Sequence, residues 1–264
     1  MDVRSGHASF EDGGLYYERA GEGFPVVLVH PGLWDLRIWD AQFEAFAEHH
    51  DVVRYDLRGY GRSDVPTTPY SDVRDLSLLL EELGIGRCAV VGCSVGGQVA
   101  IDFALEHPEV ADAVVLVSTG LTGYEWRDPD LDEPFAEIER AVAEGDLERA
   151  IEAEIALWAP LGSDQDSDPS IRAIAMDNTR VFLIPHSLVE APPSAVERLP
   201  ELQAATLVIV GDRDVGEIHR IADLLVERVP GANKREIHDA DHLVMVRQPE
   251  VFNRVVLDFL SFRM

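Results

Sequence analysis

Lysine is almost missing from this chain. Lys234 stands alone, and the 22 Lys and Arg residues together face 49 Asp and Glu, a formal net charge of −27 over 264 residues. So negative a surface repels nucleic-acid phosphates and anionic membranes, so neither is expected as a partner. A strongly anionic substrate would need a local arginine to offset that field. The same charge keeps a protein soluble, and it also suits a salt-rich habitat. Cysteine is scarce: Cys88 and Cys93 sit five residues apart on one apparent strand. At about 3.3 Å per residue they stand about 16 Å apart, too far for a disulfide. Both are therefore read as free thiols of a reducing compartment. No apolar run approaches the length of a membrane span, and the N-terminal MDVRSGHASFEDGG lacks the apolar stretch of a secretory signal. A cytoplasmic location is the resulting expectation. Walker, dinucleotide-binding and metal-ligand spacings are absent too, so no cofactor and no metal is expected.

What is present is ordinary globular material, 46% hydrophobic and 27% charged, in a chain long enough for a sizeable core. His7–Phe10 and Leu15–Arg19 flank an Asp-Gly-Gly turn and predict a hairpin. Continuous apolar runs at Val26–His30, Val52–Asp56, Ala89–Gly92 and Ala113–Ser118 suit strands buried on both faces of a parallel sheet. Helical patterns at Ile38–Ala47, Asp72–Leu83 and Val95–Glu106 alternate with them, which predicts a wound α/β sheet. From Leu121 to Ala195 the strand pattern stops. Helical stretches such as Phe135–Ala143 and Leu147–Trp158 replace it, separated by turns at Asp128-Pro129, Ser163–Pro169 and Pro192-Pro193. The alternation resumes with a strand at Thr206–Val210, a helix at Glu217–Val229, a strand at Arg235–His238 and a last helix at Pro249–Leu260. Residues 1–120 and 196–264 are thus expected to form one α/β core, with 121–195 inserted as a helical unit.

The strongest local signal is Gly92-Cys93-Ser94-Val95-Gly96-Gly97, preceded by a strand and followed by a helix. In that context Gly-x-Ser-x-Gly predicts a sharp turn that lifts the serine above the sheet edge at a helix N-terminus. Larger side chains two residues either side would collide, hence the glycines. A serine hydroxyl is a weak nucleophile and needs a base, which in turn needs a group to hold its tautomer. Both should lie at the ends of later strands. Gly211-Asp212-Arg213-Asp214 follows one such strand and Asp239-Ala240-Asp241-His242 the next, giving the chain order Ser94, Asp214, His242. Asp212 is a rival acid. His238 lies inside the strand pattern, His30 is read as ordering its own loop, and His107 as a capping or surface residue. The Val95 backbone N–H is the first candidate oxyanion donor. The second should come from His30-Pro31-Gly32-Leu33-Trp34; Pro31 has no N–H, so Gly32 is the first choice and Leu33 the second.

With these residues in place the chain resembles the α/β-hydrolase superfamily, in its branch of small esterases, lactonases and cofactor-free haloperoxidases. The resemblance rests on Val27–Gly32 with Trp39, on Asp56-Leu57-Arg58-Gly59-Tyr60-Gly61-Arg62-Ser63, on the serine turn, on Gly211–Asp214 and on Asp241-His242. It departs at His30-Pro31, where the family usually has His-Gly. It implies a mostly parallel twisted sheet of about eight strands with helices on both faces and a helical cap at 121–195. It also favours Asp214 over Asp212 as the acid. Ser94 argues against the epoxide hydrolases and haloalkane dehalogenases of the fold, which carry aspartate there. The expected activity is hydrolysis of a carboxylic ester or lactone of a small molecule through an acyl-enzyme on Ser94. Hydrolysis of a C–C bond in a diketone-type substrate and a non-catalytic ligand-binding role are the alternatives. Trp34, Trp126 and Trp158 are candidate pocket residues.

Overall fold

The computed structural model describes residues 1–162 and 169–261; the turn expected at Ser163–Pro169 falls largely outside them. Eight strands form one sheet in the order β1-β2-β4-β3-β5-β6-β7-β8. They are β1 (Arg4–Phe10), β2 (Gly13–Ala20), β3 (Pro25–Val29), β4 (Asp51–Tyr55), β5 (Cys88–Cys93), β6 (Ala111–Val117), β7 (Ala205–Gly211) and β8 (Asn233–Ile237). β1 and β2 form the expected hairpin, and β2 meets β4 antiparallel; every other pairing is parallel.

Strand alternation divides the apolar residues between two cores. Val27 lies beside Val53 and Val90 in register, and all three belong to one cluster. That cluster takes in Leu76 and Leu79 of α2 (Asp72–Glu82), Val99 and Phe103 of α3 (Val95–Glu106), and Ile221 and Leu225 of α7 (Gly216–Arg228). The neighbouring residues Val26, Val52 and Ala89 point to the opposite face. There they meet Phe43 and Phe46 of α1 (Asp40–Ala47), and Phe252 and Val256 of α9 (Pro249–Ser261). A sheet covered on both faces explains why its central strands read as unbroken apolar runs. The outer strand β8, Asn-Lys-Arg-Glu-Ile, is largely exposed and charged, as an edge strand must be to avoid pairing with another chain.

Between β6 and β7 the chain forms α4 (Asp132–Glu144), α5 (Leu147–Trp158), α6 (Pro169–Asp177) and short 3-10 turns. α4 and α5 pack as a hairpin whose turn places Gly145 at φ 76°, a left-handed helix end suited to glycine. This segment is tied to the rest at several points. Trp34 Nε1 donates to the Ile171 carbonyl (3.0 Å), and Asn178 Nδ2 donates to Asp35 Oδ2 (2.9 Å). The Gly61 amide donates to Asn178 Oδ1 (2.8 Å), and Arg180 donates to the Gly59 and Gly61 carbonyls (2.7 and 2.5 Å). At its start, Tyr124 Oη and the Arg127 amide donate to the buried Glu217 carboxylate of α7 (2.6 and 2.8 Å).

Three details differ from the sequence reading. A 3-10 turn at Leu36–Trp39 precedes α1, where one helix from Ile38 was expected. Asp35 caps that turn by accepting from the Arg37 amide, so the helical pattern starts a tighter coil before the α-helix proper. The strand expected at Arg235–His238 runs instead from Asn233 to Ile237, and His238 falls in the turn after it with an 83% exposed side chain. A short helix α8 (Val244–Arg247) follows His242; four residues are too few to leave a helical period in the sequence.

Candidate active site

Ser94 stands at φ 54°, ψ −115° between β5 and α3. An L-residue is held there only when its surroundings fix it, and three backbone hydrogen bonds do so. The Ser94 amide donates to the Val117 carbonyl of β6 (2.9 Å), and the Ser94 carbonyl accepts from Gln98 N (3.0 Å) and Gly120 N (3.1 Å). The flanking glycines are required by close approach. A Cβ on Gly92 would lie 2.1 Å from the Gly96 carbonyl oxygen, and one on Gly96 would lie 2.2 Å from that of Val29.

The loops after β7 and β8 lie directly on each other. A Cβ on Gly211 would come within 2.3 Å of the Ala240 carbonyl oxygen. Across this contact Arg213 N donates to Ala240 O (2.9 Å) and Ala240 N donates to Asp212 Oδ1 (3.2 Å). His242 Nδ1 lies 3.1 Å from each carboxylate oxygen of Asp214, and the two side chains are only 2% and 1% exposed. Asp214 Oδ1 also accepts from the Val215 amide (2.8 Å), which fixes the carboxylate plane. The rival Asp212 faces elsewhere: its Oδ2 pairs with the exposed His238 (3.1 Å). Asp241, buried beside His242, accepts from Leu243 N and Leu161 N (both 3.1 Å) and pairs with Arg247 (3.0 Å). It anchors the histidine loop from below, a role that sequence adjacency alone did not reveal.

His30 ties the loop after β3 to the loop after β4. Its Nε2 accepts from Leu57 N (2.9 Å), so Nδ1 carries the proton and donates to the Pro31 carbonyl (2.8 Å). Burial lowers its pKa and keeps the ring neutral. No cis peptide occurs among the described residues. In a trans peptide the carbonyl and the next N–H point opposite ways, so with the Pro31 carbonyl turned to His30 the Gly32 N–H faces away from that ring. Gly32 lies close to Val95, whose Cγ2 would be 3.5 Å from a Cβ placed on it. Leu33 is itself at φ 70°. Burial, then the Asp72 carboxylate, push the Tyr60 phenol above its ordinary value, and a hydrogen bond from the Leu33 N–H pulls it back. His107, in turn, ends α3 and stacks on Phe103, with ring centroids 4.8 Å apart.

A cavity of about 610 Å³ brings these parts together. Gly32, Leu33, Ser94, Val95 and His242 line it from the sheet side, and Trp126, Phe135, Glu154 and Trp158 from the helical segment. Trp34 lines it too, with its indole N–H spent on Ile171. The Trp158 ring packs on His242 with centroids 4.7 Å apart, and its Nε1 donates to Glu154 Oε2 (2.8 Å). Burial raises the Glu154 pKa, opposed by the Trp158 hydrogen bond and then by His242. Nothing in the sequence marked Glu154 or Phe135, since each is one residue of an amphipathic helix whose docked face the period alone does not identify. Both cysteines are buried and free, and burial pushes the Cys93 thiol far above its ordinary value. Among the described residues no group of three His, Cys, Asp or Glu is placed to hold a metal ion, and no helix is long and apolar enough to cross a membrane.

This fold and site define a class. The model of the alpha/beta hydrolase family matches residues 26–255, and the chain belongs to that family. Among curated proteins it is similar to the putative carbamate hydrolase RutD of Azorhizobium caulinodans, 26% identical over 256 residues that cover 94% of this chain and 95% of that one. It is also similar to a 2-hydroxy-6-oxononadienedioate/2-hydroxy-6-oxononatrienedioate hydrolase of Burkholderia vietnamiensis, 29% identical over 93% of this chain and 90% of that one. Among solved structures it is similar to Est816, described as an N-acyl homoserine lactone degrading enzyme. That similarity has a TM-score of 0.79 and 29% identity, covering 96% of this chain and 100% of the other.

Proposed function

We propose that the protein hydrolyses a carboxylic ester or lactone of a small molecule through an acyl-enzyme on Ser94. The observation that carries this reading is the buried His242–Asp214 pair, whose His242 lines the cavity that the strained Ser94 also lines. His242 Nε2 takes the hydroxyl proton as Ser94 Oγ attacks the carbonyl carbon. Asp214 holds the proton on Nδ1 and stabilises the imidazolium that forms. The oxyanion is received by the N–H groups of Val95, at the start of α3, and Gly32. As the C–O bond breaks, the imidazolium returns its proton to the leaving oxygen, which for a lactone stays attached to the acyl group. Water, deprotonated by His242, then attacks the ester carbon of the acyl-enzyme, and Ser94 leaves reprotonated as the acid is released. The helical segment 121–195 acts as the cap of this site, with Trp34, Trp126 and Trp158 on the pocket walls.

The test is covalent. An activated phosphonate should add one equivalent of mass to the wild type and none to Ser94→Ala. The same substitution should lower turnover of short-chain aryl esters and lactones by about 10⁶-fold in kcat, as removing a triad serine does elsewhere. Ester turnover retained in Ser94→Ala, or a wild type that takes no label, contradicts the reading. C–C bond hydrolysis of a diketone-type substrate is the second reading, since the same three residues would serve both reactions; the Burkholderia vietnamiensis relative is named as the hydrolase of an oxo-dioate. Turnover of a diketone panel with none of esters would decide for it. A dioate such as that relative's name specifies would meet no arginine or lysine on this cavity's described walls.

A further inference from the structure

The walls of the cavity carry an unbalanced chemistry. Trp126, Phe135 and Trp158 form a joined aromatic cluster, each pair of rings with centroids 6.1–6.2 Å apart. One carboxylate, Glu154, lies in that wall beside the ring packed on His242. No arginine or lysine lines the cavity among the described residues, in a protein whose net charge is already −27. Among the described residues Glu154 receives the neutral N–H of Trp158, and His242 is the group that counters its charge.

We propose that Glu154 is the specificity-determining residue of this cavity, selecting substrates that carry an ammonium group and rejecting those that carry a carboxylate. The inference rests on the cavity being the substrate site of the hydrolase proposed above. Two effects act in the same direction. Aromatic faces attract a cation through their quadrupole, most strongly when it is desolvated. A partly buried carboxylate with no formal positive partner gains a counter-ion when a cation enters and suffers like-charge repulsion when an anion does. Glu139 also lines the cavity but is exposed, where water screens its charge.

Binding of inert probes tests this without depending on turnover. Pentyltrimethylammonium, hexan-1-ol and hexanoate would be titrated into the full chain and followed by the fluorescence of the cavity tryptophans. In the wild type the ammonium should bind at least about tenfold more tightly than hexanoate, within the range of a desolvated cation–π contact, with the alcohol between them. Glu154→Gln keeps an oxygen to accept from Trp158 Nε1 and removes only the charge. It should shrink the ratio to within about threefold, the residue of the aromatic contribution. Glu139→Gln should leave most of the ratio in place. Hexanoate binding as tightly as the ammonium, no saturable ammonium binding, or an unchanged ratio in Glu154→Gln would each overturn the proposal. So would loss of the ratio in Glu139→Gln alone. Failure of the hydrolase reading would appear separately, as absent phosphonate labelling.

Discussion

Asp214 accepts from His242 Nδ1 through both oxygens at 3.1 Å and sits almost wholly out of solvent. An amide in its place cannot both hold that tautomer and balance an imidazolium. Asp214→Asn should therefore lower kcat on an ester by about 10⁴-fold while leaving KM nearly unchanged. Steady-state kinetics with one aryl ester check it, and a loss under tenfold contradicts it. A second residue-scale effect concerns Asp72, at the first turn of α2. Burial, then repulsion by Asp75, raise its pKa from 3.8 to about 7, against the pull of Arg58. In the unfolded chain it titrates near 3.8, so from about pH 4 to about pH 7 the folded state keeps a proton that the unfolded state has lost. Its contribution to stability is thus present at low pH and lost as pH rises through about 7. Asp72→Asn should gain on the wild type between pH 5 and pH 7.5 in urea midpoint; an equal offset at both pH values contradicts this.

The serine turn was readable because its pattern is compact in the sequence. Gly92 is dictated locally, by the Gly96 carbonyl four residues on, whereas a Cβ at Gly96 fails against the Val29 and His30 carbonyls at the end of the adjacent strand. The attachments of the helical segment are another matter. Asn178 is fully buried, accepts from Gly61 N and donates to Asp35 and the Ile174 carbonyl. In the sequence it is one asparagine between a helix and a turn, and its three partners come from three separate stretches. Asn178→Ala strands the half-buried Gly61 N–H and takes one donor from Asp35, whose carboxylate keeps Arg37; the stranded N–H costs about 1–3 kcal/mol. Urea unfolding should report a destabilisation of about 1–3 kcal/mol on that basis, and a loss under about 0.5 kcal/mol contradicts it.

At the scale of the whole molecule the charge dominates. With 49 acidic groups against 22 basic ones, and many ion pairs on the exposed surface, such as those of Arg140 and Arg172, the folded state repels itself over distances that salt screens. The screening length falls from about 30 Å at 0.01 M salt to about 4–5 Å at 0.5 M. Tm should accordingly rise across that range of sodium chloride; calorimetry showing a flat or falling Tm would mean the repulsion is already balanced locally. The same excess of negative charge surrounds a cavity with no described arginine or lysine, so surface and site repel anionic substrates together.

The sequence by itself determined the sheet, the serine turn and the chain order Ser94, Asp214, His242 of the candidate residues. The sheet shows in strand periodicity, and the serine turn in a glycine pattern that lies within a few residues. The family resemblance had already favoured Asp214 over Asp212, and the structure puts Asp214 against His242; only the tertiary structure decided that His238 lies outside the last strand and that Glu154 and three aromatic rings wall one cavity. Those outcomes follow from how separate elements dock. A helix's period shows that one of its faces is buried, but what that face meets is set by the packing of distant parts of the chain.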